Sequence, residues 1–172
     1  FFNHHCLKEL ALSTKYWNGN TCLVMAGKSY DGYFNELNKF KNKNNLNKVI
    51  LIENISYEHW FSLLKNSIAG FALYEPINTS HLMMGGTSQK LNNYIFSGIP
   101  SFISKNKDFI KFNKKYQTSI EVSNSIQDIA KEVNLFLKNK KLIKKLEKKN
   151  KDAFKGEFNF EKQFNNLKNL FL

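Results

Sequence analysis

The chain has 172 residues and a formal net charge of +12, with 42% hydrophobic and 15% aromatic residues, 16 of them Phe. A domain of that length buries roughly 70% of the surface its unfolded chain exposes, and no apolar run approaches the ~20 residues of a membrane span, so the composition is that of a soluble globular chain with a real core. All 26 basic residues are Lys and none is Arg, although Arg is the residue suited to bidentate phosphate and base contacts, which argues against a nucleic-acid partner despite the charge.

The opening "FFNHHCLKEL" has no initiator Met and no signal-like region, so the chain reads as a fragment of something longer. His4, His5 and Cys6 are consecutive; on a helix they point in different directions and cannot close on one metal, so no metal is expected there. Cys6 and Cys22 are too few for a disulfide framework, and a reducing compartment, the cytoplasm, is expected.

Short apolar or β-branched runs then alternate with helical patterns. "TCLVMAG", "KVILIEN", "GFALYEP", "PSFIS" and "TSIEV" predict buried parallel strands. Phe34, Leu37 and Phe40 predict a helix after the first run, and Trp60, Leu63 and Leu64 one after the second. Leu91, Tyr94 and Ile95 form the core stripe of a helix entered through "GGTSQK". Ile126, Ile129, Ala130, Val133, Phe136 and Leu137 follow the i, i+3, i+4, i+7 template. The chain ends in helix over 139–172, with Leu142 and Leu146 on one segment and Phe160, Phe164, Leu167 and Phe171 on another. The lysines of "KNKKLIKKLEKKNK" are either a solvated helix face or a contact for an anionic surface, such as a bilayer. With no repeat and no linker, the pattern predicts one α/β domain, a Rossmann-like parallel sheet with flanking helices and right-handed crossovers.

In such sheets ligands gather beyond the carboxyl ends of the strands. "GKSYDGY" lacks the Lys-Ser/Thr pair that a phosphate-binding P-loop needs after its second glycine, and three spaced glycines of a dinucleotide fingerprint are missing too. Gly27, with Lys28 and Ser29 beside it, either approaches a phosphate or sugar or simply turns the chain from strand to helix. The connection from Tyr74 to Gln89 is far longer than the usual two to about six residues, which marks it as functional. Gly85 and Gly86 let backbone come close to a ligand, and Thr87 or Ser88 supplies an N-cap. Unspent N–H groups and the helix dipole make the following helix start either an anion site, with Lys90 adding a full charge and Asn93 on the same flank, or simply the start of a capped surface helix with ordinary polar residues. Glu75 is either a carboxylate aimed into the cleft or a solvated turn residue, and His81 reads as a surface histidine rather than a catalytic base.

"TCLVMAGKSYDGYFNEL", "KVILIENISYEHWFSLLKNSIAGFALYEP", "TSQKLNNYIFSGIP" and "FNFEKQFNNL", in that order and over roughly residues 6 to 171, resemble the C-terminal, donor-binding domain of GT-B glycosyltransferases, the group 1 (family four) retaining enzymes. "SQKLNNYIFSGIP" follows the pattern S-x-K-L-x-E-Y-x-x-x-G-x-P at Ser88, Lys90, Leu91, Tyr94, Gly98 and Pro100. The resemblance implies a UDP- or GDP-linked sugar donor, with no further cofactor and no obligatory metal, and transfer of a hexosyl unit to a glycan or lipid-linked acceptor. It further implies that Gly86, Thr87 and Ser88 receive the diphosphate, that Gly27 and Lys28 lie near the phosphates, and that Ile55 and Tyr57 lie beside the nucleobase. Glu75 would lie near the donor sugar, and Glu75 and Lys90 are the expected catalytic residues. Asn93 stands where the family has a Glu gripping the ribose; a degenerate, non-catalytic binding domain is the alternative that this departure suggests. The family's domain opens with a strand and basic loop before the first helix here, so that strand and the acceptor-binding N-terminal domain are expected to be missing from these residues.

Overall fold

The computed structural model describes residues 5–29 and 32–171, with the side chains of 160, 166, 167 and 169–171 outside the description. In chain order the elements are α1 (Leu7–Ser13), a 3-10 turn (Thr14–Tyr16), β1 (Leu23–Gly27), α2 (Tyr33–Lys43), β2 (Val49–Glu53), α3 (Tyr57–Lys65) and β3 (Gly70–Ala72). There follow α4 (Thr79–Leu82), α5 (Gln89–Ser97), β4 (Ser101–Ser104), α6 (Lys107–Tyr116), β5 (Ser119–Val122), α7 (Ile126–Lys138), α8 (Lys140–Lys155) and α9 (Phe160–Phe171). Each predicted strand run holds a strand. The helix over 107–116 was not anticipated, although Asn106 caps it by accepting the Phe109 N–H and Phe109 and Phe112 sit at helical spacing.

All strand pairing is parallel, but among the described residues it falls into two sheets rather than one, β1 with β2 and β3 with β4 and β5. Leu23 registers with Val49, Gly70 with Ser101, and Ser101 with Ser119. Side chains alternate across a strand, so neighbouring residues of β4 enter opposite cores. Phe102 joins Leu10, Leu23, Val49, Ile129, Val133 and Phe136 beneath α1 and α7. Ile103 joins Leu91, Ile95, Phe109 and Phe112 beneath α5 and α6. Covering both faces explains why these strands read as continuous apolar runs rather than alternating ones.

Core residues at the predicted spacing are buried: Leu37 in α2, Leu64 in α3, Ile129, Ala130, Val133 and Phe136 in α7, and Leu146 in α8. Buried Asn150 ties α8 to the sheet by donating from Nδ2 to the Thr118 carbonyl at 2.9 Å. The Phe164 side chain is exposed, while those of Phe160, Leu167 and Phe171 lie outside the described residues. Among the described residues no helix is long and apolar enough to cross a membrane.

The Phe102 ring stacks on Phe71 with centroids 4.9 Å apart and meets the Phe136 edge at 5.3 Å. Truncating it empties the centre of that core, so Phe102→Ala is expected to lower the unfolding free energy by about 3–5 kcal/mol, read as a shifted urea midpoint with unchanged slope.

Candidate functional site

The carboxyl ends of β1 and β3 and the start of α5 meet at the mouth of a cavity of about 1190 Å³. Three local devices shape that mouth. Asn78 caps the short α4 by accepting the His81 N–H, which folds the middle of the long connection into one helical turn. Gly85 sends its N–H to Asp108 Oδ2 at 2.6 Å, and a Cβ there would fall 2.8 Å from the Asp108 carbonyl oxygen, so only glycine fits. Gly86 adopts a φ of 96°, a region L side chains avoid.

Ser88 then caps α5, its Oγ accepting the Leu91 N–H at 3.3 Å. Its hydroxyl is fully buried and lies 2.9 Å from the Tyr74 hydroxyl. Tyr74 is itself anchored to the sheet, since its N–H donates to Ser104 Oγ at 2.8 Å and its carbonyl accepts Asn124 Nδ2 at 3.0 Å. The N–H groups of Thr87 and Ser88 are both spent on the Met84 carbonyl. Those of Gln89 and Lys90 have no protein acceptor among the described residues, and both residues line the cavity. The helix therefore presents two open donors and its positive end to the cavity mouth.

Lys90 adds the charge. Its Nζ lies 5.1 Å from the centroid of the Tyr74 ring, an attraction between cation and π face. Burial pushes the ammonium down to about 8. The Cys6 thiol goes the other way: burial first, then Glu75 and Glu9, push it up to about 12, so it is held protonated. Across the mouth, the His5 ring meets Tyr74 edge-on at 5.2 Å. His81 Nδ1 donates to the Glu75 carbonyl at 3.1 Å, which places the proton of the neutral ring on Nδ1.

Of the residues expected from sequence, Gly27, Lys28, Thr87, Lys90 and Asn93 all line this cavity. Gly86 and Ser88 shape the turn from behind, without lining it. Ile55 and Tyr57 are not part of the lining; Tyr57 is 76% exposed and stacks on Phe61, and Trp60, one turn further along α3, holds the wall on that side. Glu75 is half-buried beside the mouth, its carbonyl bonded to the Ile77 N–H. Tyr74, His5, Trp60 and Gln89 join the lining without having been singled out. Trp60 had read only as a core residue of a helix, and Tyr74 as the end of a strand run where the long functional connection begins. Among the described residues no group of three His, Cys, Asp or Glu is placed to hold a metal ion, and His4 lies outside them.

No protein-family model matches the sequence, and no curated protein matches it significantly. Solved structures do match. The chain is similar to WaaG, a glycosyltransferase involved in lipopolysaccharide biosynthesis, with a TM-score of 0.69 at 9% identity over 91% of this chain and 40% of that one. It is also similar to AviGT4, a glycosyltransferase involved in avilamycin A biosynthesis, with a TM-score of 0.55 at 12% identity over 85% of this chain and 43% of the other. The chain has the fold of one half of a GT-B glycosyltransferase. At such identities the likeness speaks for the fold alone, and the GT-B half spans about two fifths of each of these structures.

The state of Lys90 is open to direct measurement. In the empty protein its pKa lies near 8 against 10.5 for an ordinary lysine, so between those values the folded chain holds fewer protons than the unfolded one. The destabilisation from charging Lys90 is therefore complete below pH 8 and fades as pH rises through that window. An anion at the helix start stabilises the ammonium and draws a proton in on binding. Pyrophosphate affinity is thus expected to fall by up to about tenfold per pH unit above pH 8, with a Lys90 NMR titration midpoint that moves upward when pyrophosphate is added. A pH-independent affinity, or a midpoint that stays fixed, would contradict this role.

Proposed function

We propose that this chain is the donor-binding half of a retaining hexosyltransferase that uses a UDP- or GDP-linked sugar, its acceptor half supplied by a separate domain of the GT-B pair. The reading rests on one coincidence of geometry. The open N–H groups of Gln89 and Lys90, the Lys90 amine and the Asn93 amide share the helix start at the carboxyl rim of parallel strands, which is where α/β sheets bind ligands.

In this reading the diphosphate lies against the α5 N-terminus, with Lys90 on one side and Gly27 and Lys28 on the other. The bond between the anomeric carbon and the diphosphate oxygen breaks, its electron pair leaving with the nucleoside diphosphate. The acceptor hydroxyl oxygen bonds to that carbon on the same face, and its proton passes to the departing diphosphate oxygen. Negative charge grows on the leaving oxygens, and donors fixed in advance by the Ser88–Tyr74 cap stabilise that charge without having to reorganise. Asn93 offers one acceptor and one donor to the ribose hydroxyls. Glu75 and the loop after it lie on the sugar side, and a glycan or lipid-linked acceptor enters from the other half. The lysines of α8 supply an attraction for an anionic membrane face carrying such an acceptor.

Calorimetry on the full-length protein tests the assignment. UDP- or GDP-hexoses are expected to bind. Lys90→Ala is expected to weaken that binding at least about tenfold at pH 7, as loss of a charge-assisted contact requires. Asn93→Glu is expected to tighten it, because a carboxylate accepts from a ribose hydroxyl more strongly than an amide does, by on the order of 1 kcal/mol per bond. Absence of heat at millimolar concentrations of either donor class would reject the reading.

A further inference from the structure

The long connection that leads into α5 has a second support besides the Tyr74–Ser88 pair. Asp108, Phe112 and Tyr116 fall four residues apart on α6, so they line one side of that helix, turn after turn. The first of them accepts the Gly85 N–H on Oδ2 at 2.6 Å. The second is buried, and its ring would stand 3.8 Å from a Cβ placed on Gly86, so the turn into α5 lies directly on it.

At the other end of this stripe sits the elbow between α8 and α9. α8 stops in a tight turn in which the Gly156 and Phe158 N–H groups both bond to the Ala153 carbonyl, at 3.1 and 3.3 Å. Asn159 then caps α9, its Oδ1 accepting the Lys162 N–H at 2.9 Å. With each end committed to a helix terminus, the elbow holds one shape, and it turns Phe158 onto α6. The Phe158 ring meets the Phe112 ring at 5.7 Å and the Tyr116 ring at 5.1 Å, edge to face in both cases. Beside it, one carboxylate oxygen of Glu157 accepts from both the Tyr116 hydroxyl and Lys115 Nζ.

We propose that Phe158 is a positioning residue for anion binding at the start of α5: through Phe112 it holds α6 against Gly85 and Gly86, while Glu157 clips the elbow in place. The inference rests on the reading of that helix start as the diphosphate site. Close-packed rings pass a displacement on rather than absorb it, so removing Phe158 lets Phe112 shift away from Gly86. The turn then loses its floor, and the open N–H groups of Gln89 and Lys90 lose part of their fixed direction. The ring wedge carries the effect, because an exposed ion pair such as Lys115–Glu157 contributes little by itself. Coupling of this kind is reciprocal: an anion bound at α5 tightens the elbow by the factor by which the elbow tightens the anion.

Variants of the full-length protein, with pyrophosphate as the probe, test this. Phe158→Ala is expected to weaken pyrophosphate binding at least about fivefold by calorimetry and to move the Gly85 and Gly86 amide resonances in the ligand-free protein. Phe158→Leu refills the space and is expected to restore both. Ile143→Ala trims the other core and is expected to lower the melting temperature while leaving the affinity within about twofold, as a distant site should. In the wild type, the Phe158 amide is expected to exchange more slowly once pyrophosphate is bound. Unmoved glycine resonances in Phe158→Ala, or equal losses of affinity in Phe158→Ala and Ile143→Ala, would overturn the proposal. If Phe158→Ala does not fold, Glu157→Gln at its exposed position takes its place, and unmoved glycine resonances there overturn it equally. A wild type that binds no pyrophosphate, yet whose glycine resonances respond to Phe158→Ala, would sink the donor reading and leave the coupling of elbow to loop intact.

Discussion

The hydroxyl pair of Tyr74 and Ser88 is the constraint on which the candidate site depends. Ser88 Oγ closes the first turn of α5, and the tyrosine that meets it lies two residues past β3, itself bonded to Ser104 at the end of β4 and to Asn124 beyond β5. Fourteen residues separate the two hydroxyls in sequence, and the intervening loop reaches no regular structure beyond the single turn of α4. The start of α5 is thus aligned by the sheet rather than by the loop, which fixes the direction of its open N–H groups.

The same arrangement separates shape from chemistry among the predicted residues. Gly85, Gly86 and Ser88 spend themselves on geometry: an N–H given to Asp108, a backbone angle only glycine adopts readily, and a buried cap. Lys90 and Asn93, one helical turn apart, are left to face the cavity. Lys90 differs in kind from the lysines crowded along α8. It is half-buried over an aromatic ring with its pKa drawn toward neutrality, so its charge responds to what binds beside it. The α8 lysines are mostly solvated and carry net charge without local structure.

Much of this was legible in the residues. Strand positions, the α7 stripe, the Leu91–Ile95 core face and the helix start after Gly86 follow from local rules, because apolar period, glycine conformation and side-chain capping act within a few residues of the chain. The 107–116 helix was legible too, from Asn106, Phe109 and Phe112, but its lysines and asparagines diluted the apolar signal. Tyr57 illustrates the opposite case: it heads a helix beside the expected site, yet the roll of α3 turns Trp60 to the cavity and Tyr57 to solvent.

By itself the sequence determined which segments are strand or helix, which faces are apolar, and that an anion-seeking helix start follows the long loop. The tertiary structure alone decided that Tyr74 grips Ser88, that His5 and Cys6 arrive at the same rim as Lys90, and that β1 and β3 stand apart across a cavity. The division has a physical cause. Period and capping are properties of neighbouring residues, whereas strand order and the meeting of side chains distant in sequence are set by how the helices pack on both faces of the sheet, and no local pattern encodes that packing.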